Sequence, residues 1–360
     1  MGVLMKQDAA TLGAKLVDWL GRRFPEAKDI VISDLRSPSG GFSNETWLLD
    51  LDWVRDGHAE RQALVARLQP QVAGTFPEYD LKLQYRCMEL LQDSGVPVPR
   101  LFCFCDQDSP FDVPFYLMER IDGLAPLENP PYHGVGWLHD MTPVQQGEVW
   151  FQCVDTIAAV HRVDWQAQGF GFLDRPHLGA TPLVQMIAYY RNYLAWIEAR
   201  RRPYPMLHRA LDWVESHQPQ QPEPMTLCWG DAKIGNCLFQ GTRCVAALDW
   251  EMPYLGNPVS DLSWLLMLDR ALSEAIGIPR LPGFADRGAT VTRWSAASGY
   301  GAEHLPYYEV FSALKFSAIM AAITTALVSH GLMPEDTDMD LRNPGTAVLA
   351  LYASEYGLDL

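Results

Sequence analysis

Basic residues are scarce in this chain. Lys and Arg number 28 against 44 Asp and Glu, a net charge of −16 over 360 residues. That balance argues against nucleic acid as a partner, because phosphate backbones are held by clustered cations. The one compact basic run, Arg200-Arg201-Arg202, reads as a solvated helix end. Charged residues make up 20 % and hydrophobic ones 48 %, which argues against disorder. The seven cysteines are odd in number and contain no CxxC pair, which argues against zinc and for buried free thiols in a reducing cytosol. Cys103 and Cys105 would share one face of a strand. No apolar signal region opens the chain, and position six lacks the Ser or Thr of a myristoylation signal, so a cytoplasmic location is expected. The longest apolar stretch, Val310 to Val328, is interrupted by Ser, Thr and Lys315, and predicts a buried core helix and no membrane partner. No internal repeat is visible. No GxxxxGK[ST] or GxGxxG opens a helix after a strand, and no GxSxG elbow is present. P-loop, dinucleotide and hydrolase readings fall away with them.

What is present falls into two compositional halves. Residues 8 to 24 carry Leu12, Leu16, Trp19, Leu20 and Phe24 on one helical face. Strands follow from Ile30, over Glu45 to Leu51 and over Gln62 to Leu68, the last two joined by a hairpin at Asp56-Gly57. A helix over Asp80 to Ser94 and strands at Leu101 to Cys105 and Phe115 to Arg120 complete a β-rich start. After Ile121-Asp122-Gly123 the pattern turns helical, with helices at Val144 to Val163, Pro182 to Arg201, His208 to Ser216, Leu305 to Ser329 and Pro344 to Tyr356. Asn257-Pro258 supplies an N-cap and first-turn proline for another. Gly277 to Glu303 reads as irregular.

The stretch Leu227 to Glu251 concentrates the chemistry. Cys237 to Phe239 and Val245 to Leu248 are short apolar runs flanking the turn residues Gln240 to Arg243, a β-hairpin pattern. A turn centred near Thr242 brings Asn236 beside Asp249, with Asp231 and Lys233 in the loop before them. Hard oxygens of this kind hold Mg²⁺, and a carboxylate nearby suits a group that orients a hydroxyl. The competing reading is a solvated surface hairpin. Ser37 to Asn44 holds a Gly-Gly turn between strands, whose backbone can lie over a phosphate or simply turn the chain. Arg67 alternates out of an apolar strand, where it either reaches a phosphate or faces solvent.

These motifs together resemble the aminoglycoside phosphotransferase family, also called APH/choline-kinase-like, in its bacterial branch related to the kinase-like domain of acyl-CoA dehydrogenase fusions. The resemblance runs from Gly40 to at least Trp264. It implies an α+β, bilobal protein-kinase-like fold: a small N-terminal antiparallel β lobe, residues 1–120, that binds nucleotide, and a large, mainly helical C-terminal lobe, residues 121–360, that carries catalysis and the acceptor. Trp229-Gly-Asp-Ala-Lys-Ile-Gly-Asn236 is similar to the family's catalytic loop. That similarity makes Asp231 the catalytic aspartate and Asn236 a metal ligand, with Asp249 of Leu248-Asp-Trp-Glu251 the main Mg²⁺ ligand. Gly40, Gly41, Phe42, Ser43 and Asn44 resemble the loop over the ATP phosphates. Glu119, Arg120 and Ile121 resemble the hinge whose backbone holds adenine, and Asp261 the aspartate that braces the catalytic loop. ATP is the implied phosphoryl donor, with GTP as the variant.

Three positions depart from the pattern. Trp229 replaces the family's histidine, Arg67 its strand-three lysine, and Gln84 the glutamate that pairs with that lysine. Arginine does not substitute neutrally for lysine, so the departures bear on nucleotide clamping. Lys233 adds the D-x-K-x-x-N spacing of protein kinases and would neutralise the transferred phosphoryl group. The expected activity is transfer of the γ-phosphoryl group of ATP to a small-molecule hydroxyl by a monomer or homodimer. A protein kinase is disfavoured because eleven residues separate Asp249 from Asp261, too few for a peptide-docking activation loop. A non-catalytic nucleotide-binding pseudokinase is the rival that Arg67, Gln84 and Trp229 favour. Acids cluster densely in the C-terminal half only at Glu335, Asp336, Asp338 and Asp340, whereas Trp137, Trp150, Trp165, Trp196, Tyr189, Tyr190 and Tyr193 crowd the helical region. An apolar or aromatic alcohol is therefore expected over an aminoglycoside.

Overall fold

The structure is a computed structural model that describes residues 8–37, 45–70, 74–220 and 222–360. The expectations for Gly40, Gly41, Phe42, Ser43 and Asn44 lie outside the described residues. Chain contacts divide the protein into two units. The first runs to Glu89 and resumes at Pro99–Asp122; the second comprises Leu90–Val98 and Gly123–Leu360. The sequence reading placed the boundary after residue 120 and kept residues 90–98 with the first unit.

In the first unit, Asp56 and Gly57 both adopt positive φ, 53° and 80°, the backbone of a tight two-residue hairpin turn. The turn joins β2 (Glu45–Arg55) to β3 (His58–Leu68) in continuous antiparallel register from Arg55↔His58 to Glu45↔Leu68. With β1 (Lys28–Arg36), β4 (Leu101–Cys105) and β5 (Phe115–Glu119) they form an antiparallel sheet of order β1-β2-β3-β5-β4. Helix α1 (Ala9–Arg23) starts where the Asp8 side chain accepts the Thr11 N–H. It lays Leu12, Leu16, Trp19 and Leu20 into a core shared with Leu49, Leu51, Trp53, Phe115 and Leu117. Helix α2 (Leu81–Leu91) follows β3.

The second unit is built on α3 (Pro143–His161), α4 (Pro182–Glu198), α5 (Pro205–Ser216), α6 (Val259–Ala271), α7 (Arg287–Ser298), α8 (Leu305–Ser329) and α9 (Pro344–Tyr356). Helix α8 is long and apolar enough to cross a membrane, yet most of it is buried, packed against α4, α5, α6 and α9. Helix α6 starts at Val259, where Asn257 Oδ1 accepts the Val259 N–H at 3.0 Å. Helix α7 corrects the irregular reading of 277–303. Its sequence holds Gly288 and Thr292 and little apolar periodicity, so propensity argues against a helix. Packing overrides it: Asp286 caps the N-terminus, Gly299 ends it at positive φ, and Trp150 Nε1 donates to Thr290 Oγ1 at 3.0 Å.

Four short strands position the chemistry. β6 (Thr226–Cys228) pairs with β9 (Tyr254–Gly256), and β7 (Cys237–Gln240) pairs with β8 (Arg243–Ala247). Strand β6 therefore runs into a loop at 229–236 before β7, and β8 into a loop at 248–253 before β9. The nested pairing sets the two loops side by side.

Trp53 is 2 % exposed, packs edge-on against Phe24 and near Phe102, and donates Nε1 to Glu60 at 3.1 Å. Trp53→Ala is expected to destabilise the first unit by about 3–5 kcal/mol, measured by denaturant unfolding. A loss below about 1 kcal/mol would contradict this core.

Candidate functional site

The loop at 229–236 is held from beneath by one buried carboxylate. Asp261, 1 % exposed at the start of α6, accepts the Trp229 N–H at 2.7 Å and the Gly230 N–H at 3.0 Å. His161 of α3 lies 3.2 Å from the same carboxylate. The Trp294 indole N–H reaches His161 Nδ1 at 3.0 Å. An indole only donates, so Nδ1 accepts and Nε2 carries the hydrogen given to Asp261. Gly230 sits at φ 86°, and a Cβ there would lie 1.8 Å from the Met252 carbonyl oxygen. Only glycine lets the two loops approach this closely. Potential ligand atoms of His161, Cys228 and Asp261 lie within 4.8 Å of one another. The carboxylate and imidazole are committed to the brace, and burial pushes the Cys228 thiol well up, keeping it protonated. This triad is structural.

Above the brace, Asp231 Oδ1 accepts the Trp264 indole N–H at 2.8 Å. Its Oδ2 accepts Asn236 Nδ2 at 2.8 Å and faces Lys233 Nζ at 3.3 Å. Asn236 Nδ2 also reaches the Asp231 backbone oxygen at 2.9 Å, so the amide is fixed with Oδ1 as its remaining ligand atom. The hairpin register differs by one residue from the expected one. Cys237 pairs with Ala247, so Asn236 lies opposite Leu248, whose N–H donates to the Asn236 backbone carbonyl oxygen at 2.8 Å. Leu248 O accepts the Trp229 indole N–H at 2.9 Å. Held on both sides, Leu248 delivers Asp249, which takes a left-handed backbone at φ 60°. Aspartate tolerates that region better than most residues. The replacement of histidine by tryptophan is thus absorbed: Trp229 hydrogen-bonds the residue before Asp249 and stacks on Trp250 at 5.6 Å.

Lys233 has a second anion that no motif indicated. Glu128 Oε2 lies 3.0 Å from its Nζ. Residues from Leu124 onward reach this position because Leu124 pairs with Phe239 of β7 through two backbone hydrogen bonds. Gly235 makes room: a Cβ there would lie 2.4 Å from Glu128 Oε1. Desolvation is the largest influence on Lys233 and pulls its pKa down. Asp231, Glu128 and Asp249 together outweigh it and hold the ammonium above the ordinary lysine value.

The nucleotide-binding expectations fall in the first unit. Arg67 stands opposite Tyr116 in the β3–β5 register and donates to Thr46 Oγ1 at 3.4 Å. Gln84 is buried on α2. The Glu119 N–H bonds Arg100 O and the Arg120 N–H bonds Ala63 O. The Arg120 guanidinium reaches Asp50 at 2.7 Å. The N–H groups of Glu119 and Arg120 are therefore committed within this unit.

Residues 34–299, more than half of the chain, match the profile described as "Phosphotransferase enzyme family", APH. The chain belongs to that phosphotransferase family. A mouse protein, acyl-CoA dehydrogenase family member 10, is 28 % identical over 252 residues, covering 69 % of this chain and 21 % of that protein. The chain thus spans about a fifth of that relative's length. Among solved structures, a protein of Ralstonia eutropha JMP134 provisionally assigned as an aminoglycoside phosphotransferase aligns with a TM-score of 0.69 at 22 % identity, covering 97 % and 99 % of the two chains. A thermostable aminoglycoside phosphotransferase APH(4)-Ia mutant, in ternary complex with AMP-PNP and hygromycin B, aligns with a TM-score of 0.55 at 15 % identity, covering 95 % and 99 %. These likenesses establish the kinase-like fold, an antiparallel five-stranded sheet followed by a mainly helical region.

Asp261→Ala strands three buried donors, the N–H groups of Trp229, Gly230 and His161. Denaturant melts are expected to show a loss of about 3–5 kcal/mol. A variant within about 1 kcal/mol of the parent would show that the carboxylate is not the brace.

Proposed function

We propose that this phosphotransferase moves the γ-phosphoryl group of ATP, or of GTP as the variant donor, to a hydroxyl of a small molecule. The observation that carries the reading is the setting of Asp231. Its Oδ2 already takes two donors, whereas Oδ1 takes one from Trp264. Each carboxylate oxygen has two acceptor sites, so Oδ1 keeps one for an incoming hydroxyl. In the proposed step, the hydroxyl oxygen forms the new bond to the γ-phosphorus as the bond to the β,γ-bridging oxygen breaks. The hydroxyl proton passes to Asp231, and the nucleoside diphosphate leaves with the bonding electron pair. Transition states of this kind are loose, so positioning and charge dominate.

Lys233, held 3.3 Å from Asp231 and 3.0 Å from Glu128, orients the Asp231 carboxylate and offers its positive charge to the transferred group. The donor set fits a magnesium ion: the amide oxygen of Asn236 and the carboxylate of Asp249 are the hard oxygens that ion prefers. Bound there, it would neutralise phosphate oxygens. For the nucleotide we propose Arg67, Ile121 and the residues from Gly40 to Asn44. A pseudokinase reading draws on Arg67 and Gln84, but it gives no reason for an aspartate with one open acceptor site beside this oxygen pair.

Asp231→Asn should keep stabilisation by Mg·ATP in a thermal melt yet lose about 10²–10⁴-fold in transfer to an accepted alcohol. Asp249→Ala should lose both. Full turnover in either variant removes the role given to that residue; nucleotide binding by the parent without turnover on any member of an alcohol library supports the pseudokinase.

A further inference from the structure

One cation lies deep in the second unit and, among the described residues, has no carboxylate at ion-pair distance. Lys315 of α8 is 3 % exposed, and among the described residues no hydrogen bond or ion pair reaches its ammonium. Its Nζ lies 5.0 Å from the Trp264 ring centroid, 5.6 Å from Phe311 and 5.7 Å from Tyr254. Ring faces attract a cation but leave its N–H donors unfilled. Burying an ammonium without an anion is costly, and here it lines a cavity of about 230 Å³. Thr181, Met186, Pro224, Tyr254 and Phe311 supply much of the remaining wall. A dry apolar cavity of ~150 Å³ accepts benzene, so this one has room for a ring or short alkyl chain together with a charged head. Glu223 also lines it. That carboxylate accepts the Tyr308 hydroxyl at 2.9 Å and Asn257 Nδ2 at 2.8 Å, and its charge opposes a multiply charged anion.

We infer that the cavity binds a small monocarboxylate with an apolar or aromatic body, the carboxylate seated on the Lys315 ammonium. The assignment stands on the cavity and the buried cation, apart from any phosphoryl transfer. It deepens the proposed reaction only where the acid also bears the reacting hydroxyl, a clause that rests on the Asp231 reading. Trp264 links the two places, since its indole N–H holds Asp231 and its ring faces Lys315.

Burial pulls the Lys315 pKa down to about 8, with the carboxylates of Asp261 and Asp231 acting in the opposite direction. The groups around it are Asp231, Asp261, Glu223, Cys228, Tyr254 and Tyr308. The thiol and the two phenols are pushed well up, so none of those three titrates near pH 8. The ammonium that attracts the acid is present below about pH 8 and is lost above it.

Calorimetric titration of the full chain without nucleotide tests the assignment, with 3-phenylpropanoate as probe and 3-phenylpropanamide as its uncharged isostere. At pH 7 the acid should bind at least tenfold tighter than the amide. That preference should decline between pH 7 and 9. Lys315→Met should abolish the preference and its pH dependence, while raising the Tm at pH 7 by removing a buried charge. The gain in Tm should shrink from pH 8 toward 10 as the parent's amine loses its proton. Met186→Trp, which fills the cavity and keeps the lysine, should abolish binding as a second, independent variant. Equal binding of acid and amide, unchanged acid binding by Lys315→Met, or no binding of the acid at millimolar concentration overturns the assignment. Mass spectrometry after incubating hydroxylated analogues with Mg·ATP separates the two sources. A phosphorylated product makes the acid part of the acceptor, and binding without a product makes it a separate ligand; either supports the site.

Discussion

The carboxylate of Asp261 is the constraint from which the chemistry of the second unit follows. A loop cannot point a charged side chain reproducibly unless its own backbone is fixed. The first N–H groups of this loop, on Trp229 and Gly230, end on Asp261. The carboxylate is itself fixed, because His161 donates to it and Trp294 dictates which imidazole nitrogen does so. From there the order is transmitted upward. Gly230 lets the loop pass against Met252, the Trp229 indole fixes Leu248, and Leu248 fixes the backbone on either side of the Asn236–Asp249 pair. A buried polar network is tolerable only when each member finds a partner, and the donors here do.

What was legible in the sequence was what is contiguous in it. Asp231, Lys233, Asn236 and Asp249 fall within one hairpin and its approach, so local pattern and family resemblance brought them together. The register came out one residue off because the hairpin closes at Gln240↔Arg243, and the bulge between Leu238 and Phe239 makes up only one residue of the two-residue offset that this turn would give. Glu128 was not legible. It is 105 residues from Lys233 and arrives through pairing of Leu124 with β7, a long-range contact without a local signature. His161 was hidden within a helix whose pattern reports only burial. Helix α7 was missed because its order comes from Trp150, His161 and the caps at its ends. The five strands of the first unit were readable from alternation and the Asp56-Gly57 turn. The sequence does not show that the N–H groups of Glu119 and Arg120 are taken by neighbouring backbone.

Charge explains why the departures at Trp229 and Lys233 are compatible with one another. Asp231, Glu128 and Asp249 surround a single ammonium, and all three raise its proton affinity. Three carboxylates against one ammonium leave a surplus of two negative charges near the loop. Lys233 does not remove the surplus; it partitions it. Its contacts to Asp231 and Glu128 at 3.3 and 3.0 Å draw it to that side, while Asp249 is carried by a separate loop whose register Trp229 controls. The result is one carboxylate tied to the ammonium beside another set on its own loop. Trp264 then stands between this negative loop and the buried cation of Lys315, which lies 5.0 Å from its ring. A neutral polyol would gain nothing from that cation, and a polycation would be repelled by it. A ligand with one negative charge and an apolar body is the chemistry that this side of Trp264 complements.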